Sequence, residues 1–188
     1  MADRLRADAR ANRDQILAAA RALFTERGAD VPIKDIADRA GVGVGTLYRR
    51  FPDRDALISA MGHAHLAGLL HDLEAAESEE DSAWSALARF VSECIGNGLG
   101  GLAAALEPGL HAQIQRDPRL VAVRTALSEA IARLILQAQA DGDLRRDIDP
   151  QDVALLLTVQ IYTRPEQSHA DAVARVVAIV LDGLRARH

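Results

Sequence analysis

Apolar residues at helical spacing run through almost the whole chain, and no stretch offers the competing pattern. Between Asn12 and Arg27, the residues Ile16, Leu17, Ala20, Leu23 and Phe24 recur at i, i+1, i+4, i+7 and i+8, a single stripe along one helix face. Alternating β-branched runs bounded by a hairpin turn are missing, so the chain is expected to be all-α. Composition agrees. Of the 188 residues 49% are hydrophobic but only 3% aromatic, so a core must be filled largely by Ala and Leu, both strong helix formers. No apolar run approaches the roughly 20 residues of a membrane span. The charged N-terminus MADRLRADARANRDQ lacks the apolar stretch of a secretory signal, and the single cysteine, Cys94, cannot form an internal disulfide. A cytoplasmic protein without a membrane partner is expected.

Helix breakers and caps divide this helical pattern into about nine pieces. Gly28 suits the position just past the end of the first helix. A second helix is expected over about Lys34–Arg39, with Pro32 at its start, and a third over about Val44–Phe51 after the corner Ala40-Gly41-Val42-Gly43. Asp53 is placed to cap a long fourth helix from about Arg54 to an acidic loop at 78–82, where Asp81 or Ser82 caps the next. The glycines of 96–101 interrupt that helix, and a shorter piece follows to about Gln115. Asp117-Pro118 opens a longer helix, 141–150 reads as a loop, and two last helices are expected over about Gln151–Thr163 and Ser168–Arg187.

Charge is spread unevenly. Residues 1–56 carry 11 Lys/Arg against 9 Asp/Glu, a balance of +2, while the remainder carries 11 against 18, a balance of −7. Within the basic part, helix, glycine corner and helix follow one another over about 32–51, the pattern of a helix-turn-helix. On a helical wheel Leu47 and Phe51 fall on one side, flanked by Val44 and Tyr48, and are expected to anchor on Leu23, Ile36 and Val42. Gly45, Thr46, Arg49 and Arg50 fall on the other, offering hydroxyl and guanidinium donors to base edges and phosphates. Gly43 and Gly45 leave nothing bulky at the helix start, where backbone amides suit a phosphate. Lys34 and Arg54 begin the flanking helices, each in a position to clamp the DNA backbone.

ILAAARALFTERG, IKDIADRAGVGVGTLYRRF and PDRDALI, in that order and spacing over about residues 12–58, resemble the DNA-binding domain of the TetR (tetracycline-repressor-like) transcriptional regulators. The resemblance implies a helix-turn-helix domain at 1–55 and a larger helical regulatory and dimerisation domain at 56–188. It implies that Thr46, Tyr48, Arg49 and Arg50 contact DNA, with Tyr48 on a phosphate, and that Lys34 and Arg54 sit where the family places backbone contacts. Gly43 and Val44 replace the family's frequent serine cap and polar residue, and Arg50 its frequent histidine or aromatic, so no relative's operator sequence carries over.

The rest of the chain follows the family in outline, and its own pattern agrees. The last two helices carry Leu156, Leu157 and Ile161, then Val173, Val177, Val180 and Leu184, apolar enough to need a partner, and two from each subunit make a four-helix bundle. The family's small-molecule pocket implies an effector; its candidate lining is Met61, His65, Trp84, Phe90, His111 and Tyr162, each also an ordinary core residue in the bland reading. His63 and His65 are two apart and diverge on a helix, so no metal or other cofactor is expected. Cys94, mid-helix among apolar neighbours, reads as inert. No nucleophile with an adjacent histidine and acid, phosphate loop or facing carboxylate pair points to an enzyme. The expected function is a homodimeric repressor on a palindromic operator in double-stranded DNA, released by a small molecule. The alternatives are an activator of the same family and a helical ligand-binding dimer without DNA binding.

Overall fold

The computed structural model describes residues 2–28, 30–97, 117–159, 161–163, 166 and 168–186, with side chains from residue 11 onward. Among them are eight α-helices and no strand: α1 Ala2–Arg27, α2 Ile33–Arg39, α3 Val44–Arg50, α4 Arg54–Glu79, α5 Ala83–Gly96, α6 Pro118–Ala140, α7 Pro150–Leu156 and α8 His169–Leu184. The expected short helix before Gln115 falls outside the described residues. None of the eight is long and apolar enough to cross a membrane. They form two compact units, one of residues 2–65 and 117–121, the other of 66–97 and 122–186, so that α4 and α6 each contribute to both.

In the first unit α1 buries the expected stripe except for Leu17, which is half-buried. Ile16, Ala20, Leu23 and Phe24 are inaccessible, together with Ile36 and Ala37 of α2, Leu47 of α3 and Leu57 of α4. Each Leu, Ile or Phe so buried contributes about 1.5–3 kcal/mol relative to exposure. Charged pairs fasten the rim: Arg39 donates to both carboxylate oxygens of Glu26 at 2.8 and 2.9 Å, and Arg27 pairs with Asp35 at 3.1 Å. At the start of α4 the Ala56 amide donates to Asp53 Oδ1 at 2.7 Å, as a cap should. One turn on, the buried Ser59 hydroxyl donates to Asp117 Oδ2 at 2.6 Å, while Asp117 Oδ1 accepts the Arg119 amide at the head of α6. The Arg119 side chain, then Ser59, hold the Asp117 carboxyl far below the usual carboxylate range.

The second unit packs around α5. Trp84, Leu87, Phe90, Val91, Cys94 and Ile95 form one buried cluster with residues of α4, α6, α7 and α8. Ser82 caps α5 by accepting the Ser85 amide at 3.1 Å. Burial, with Asp72 and Glu93 nearby, pushes the Cys94 thiol up to about 12, so it stays protonated and unreactive. The loop after α6 turns at Gly142, whose φ of +85° suits glycine. A capping box of Asp149 and Asp152 then starts α7.

Three helix ends differ from the sequence reading: α1 begins at Ala2, ahead of Asn12, and two later helices stop early. The helix expected to reach Thr163 stops at Leu156, where the Thr158 and Val159 amides take i−3 carbonyls and the Thr158 hydroxyl also binds the Leu155 carbonyl at 2.7 Å. The last helix stops at Leu184 rather than Arg187, because Arg185 is extended and bridges Leu144: the Arg145 amide donates to Leu184 O and the Ala186 amide to Asp143 O.

Candidate nucleic-acid interface

Gly41 shapes the corner between α2 and α3. Its φ of +67° lies in the left-handed region, and around it the Gly41 amide donates to Asp38 O and the Val42 amide to Ala37 O. That pair of bonds is a Schellman motif, which satisfies the last carbonyls of α2 and turns the chain at once. Gly43 is extended and its carbonyl accepts the Thr46 and Leu47 amides, so α3 begins without a side-chain cap.

Leu47, fully buried, and Phe51, 3% exposed, seat α3 on the core. That seating decides the rest of the helix by geometry. Gly45, Arg49 and Arg50 face solvent, Tyr48 is 47% exposed, and Thr46 is half-buried beside them. Arg49 Nη2 donates to Thr46 Oγ1 at 3.0 Å, which aligns a guanidinium with a hydroxyl on one face. No carboxylate lies within ion-pair distance of Arg49 or Arg50 among the described residues. A Cβ built on Gly45 meets no atom within 4 Å, so the approach to the start of α3 is open. Exposed cations without a carboxylate partner among the described residues, on a short helix held from behind, match the chemistry of phosphate oxygens and guanine edges.

Lys34 is exposed at the head of α2 and paired at 3.0 Å with Asp38 one turn on. Arg54 behaves differently from its sequence reading. Its Nη1 donates to Val31 O at 2.9 Å, its guanidinium sits 5.6 Å from the Phe24 ring centre, and its Nη2 is buried. In this geometry Arg54 turns into the core and joins the end of α1 to the approach to α2 instead of reaching outward.

The effector-pocket candidates divide between the two units. Trp84 and Phe90 share the buried cluster of the second unit, Met61 is buried in the first, and Tyr162 is 86% exposed. His65 is half-buried, and burial and then Arg21 push its ring below the ordinary histidine value. His111 lies outside the described residues. A cavity of about 430 Å³ instead opens around Gln139, Leu144, Arg145 and Arg146, which sequence reasoning did not single out.

Of the expected dimer residues, Leu184 is buried within the subunit. Leu156, Leu157, Ile161, Val177 and Val180 are half-buried against the same cluster, and Val173 is half-buried near Gly96. The large apolar residues these helices expose are Leu155 at 68% and Ile179 at 57%. Leu155 is not among the residues that the sequence singled out, because apolar character alone does not rank the faces of so short a helix as α7.

Comparison with known proteins bears directly on this arrangement. Residues 16–61 match the family model of bacterial regulatory proteins, tetR family, and residues 79–186 that of the SbtR-like transcriptional regulator C-terminal domain. The chain is 30% identical to the transcriptional repressor KstR2 of Rhodococcus jostii over 193 residues, covering 94% of this chain and 92% of the relative. Among solved structures, a TetR transcriptional regulator from Streptomyces coelicolor superposes with a TM-score of 0.65 at 34% identity, over 94% of this chain and 99% of that one. A TetR regulatory protein from Mycobacterium vanbaalenii gives the same TM-score at 30% identity, over 97% and 99%.

Proposed function

The chain belongs to the TetR family of bacterial regulatory proteins and is a DNA-binding transcriptional regulator, and we propose that it works as a homodimeric repressor released from a palindromic operator by a small molecule. The observation that carries this reading is the exposed face of α3, where Arg49 and Arg50 stand without acidic partners among the described residues, beside Thr46 and Tyr48. Thr46, Arg49 and Arg50 read base edges, Tyr48 and Lys34 bind phosphates, and the open start of α3 at Gly45 lets the backbone come close. Arg54 supports the interface from behind by holding α1 and the approach to α2 in place.

Exposed apolar residues on α7 and α8 support the dimer. Leu155 and Ile179 are solvent-exposed in the single chain, and a second copy covers them while setting two α3 helices roughly 34–36 Å apart, one duplex turn. The half-buried residues Leu156, Leu157, Ile161, Val173, Val177 and Val180 flank that patch. The repressor direction is supported by the Rhodococcus relative, which is itself a transcriptional repressor. Release requires an effector that binds the form unable to fit the operator; taking the equilibrium from 1:99 to 99:1 needs about 5.5 kcal/mol of differential affinity. The route for it is α4, since this helix is common to both compact units. Trp84 and Phe90 remain the candidates for contact with such a ligand.

Selection from a random-sequence duplex pool tests the proposal. The expected result is enrichment of one inverted repeat with half-sites about one helical turn apart. A pool that stays random after repeated rounds contradicts it and favours a ligand-binding dimer that does not act on DNA.

A further inference from the structure

Arg13 lies on α1 ahead of the buried stripe that starts at Ile16. Its guanidinium is 6.0 Å from the centre of the Phe51 ring, and Phe51 is the residue that closes α3. The contact places a cation from α1 at the C-terminal end of the reading helix, next in space to the end that carries Arg50. A guanidinium over a ring spends none of its N–H donors there and keeps its charge.

Pairing sets Arg13 apart from the cations that hold this unit together. Arg27 is tied to Asp35, Arg39 to Glu26 and Lys34 to Asp38. Arg13, like Arg49 and Arg50, has no carboxylate within ion-pair distance among the described residues. Arg21 shares that lack but sits two turns further along α1, near His65, whose pKa burial and then the Arg21 charge push down.

We propose that Arg13 is a DNA contact outside the helix-turn-helix: held by the ring of Phe51, it meets an operator phosphate beyond the end of α3 and widens the footprint. The partner is the sugar-phosphate backbone, so the contact adds affinity and fixes register without reading bases. This inference rests on the DNA-binding reading above. The opposing reading is that Arg13 merely packs on Phe51.

Charge and packing separate in two full-length variants, Arg13→Gln and Arg13→Lys, titrated against the selected duplex across a salt series with thermal unfolding alongside. Each lost phosphate contact lowers the log–log salt slope by about 0.9, so a dimer of Arg13→Gln loses about 1.8. At 0.1 M salt that corresponds to roughly 60-fold weaker binding. Arg13→Lys, which keeps the charge and loses the planar group, retains most of the slope. An unchanged slope in Arg13→Gln overturns the proposal. So does an equal loss of affinity in both variants with the slope intact and a lowered melting temperature, the signature of packing alone. Wild-type protein that binds no duplex overturns the DNA-binding reading and this one with it, which distinguishes the two failures.

Discussion

Gly41 and Gly45 make a controlled pair, because a Cβ built on either meets no atom within 4 Å. Sterics against neighbours therefore cancel, and only backbone conformation separates them. Gly41 has φ +67°, while Gly45 lies inside α3. An L side chain in the left-handed region costs about 1–2 kcal/mol, so Gly41→Ala is expected to destabilise by that amount. For a chain of this size each kcal/mol moves the melting temperature by roughly 2–4 °C. Gly45→Ala has the opposite sign: replacing glycine in a helix gains up to about 1 kcal/mol. Its effect on DNA is expected to run against its effect on stability, since the new methyl occupies the open approach to the start of α3. The assays are urea unfolding and duplex binding for both variants. Equal stability changes in the two would refute the assignment of the corner to the conformation of Gly41, and a Gly45→Ala protein that binds duplex as tightly as wild type would refute the close backbone approach.

Three further outcomes are expected from the rest of the chain. Phe90, inaccessible in the middle of α5, should cost about 3–5 kcal/mol as Phe90→Ala in urea unfolding, unless the surrounding helices collapse into the gap. His65 titrates below the ordinary value of about 6.5, so under acid the unfolded chain binds more protons than the native one; stability is complete above that value and falls as pH drops from there. His65→Gln should flatten unfolding free energy against pH over that range, and an identical slope in both proteins would count against the burial of this ring. Ile179→Asp, alone or with Leu155→Asp, should convert dimers to monomers by analytical ultracentrifugation while each subunit stays helical; a dimer of undiminished stability would move the interface elsewhere.

What the sequence discloses and what it hides divide along physical lines. Local chemistry reads out well: the glycine at 28 just past the end of α1, with φ +82°, the cap Asp53, the cap at Ser82 rather than Asp81, and the inward pair Leu47 and Phe51 each depend on a few neighbouring residues. Features set by distant partners do not. Arg54 looks like a free cation at a helix start, yet the Val31 carbonyl and the Phe24 ring, 23 residues upstream in the first case, draw it inward. The end of α8 is set by a bridge to Leu144, some 40 residues earlier, which no local signal at Arg185 announces. On α8 the exposed Ile179 shares the solvent side with Asp171, Arg175 and Asp182, so apolar character alone does not tell that Leu184 goes to the interior while Ile179 stays in solvent.

Specific DNA binding by the exposed face of α3 underlies everything proposed for this protein. Its most direct measurement is fluorescence anisotropy of a labelled duplex carrying the selected repeat, compared with a scrambled duplex, for wild type and for Arg49→Ala/Arg50→Ala across a salt series. Wild type should prefer the repeat by at least about a thousandfold, with log affinity falling linearly with log salt, and the double variant should lose both the preference and part of the slope. A double variant that still discriminates the repeat as well as wild type would place recognition on some other surface of the molecule and exclude the face of α3.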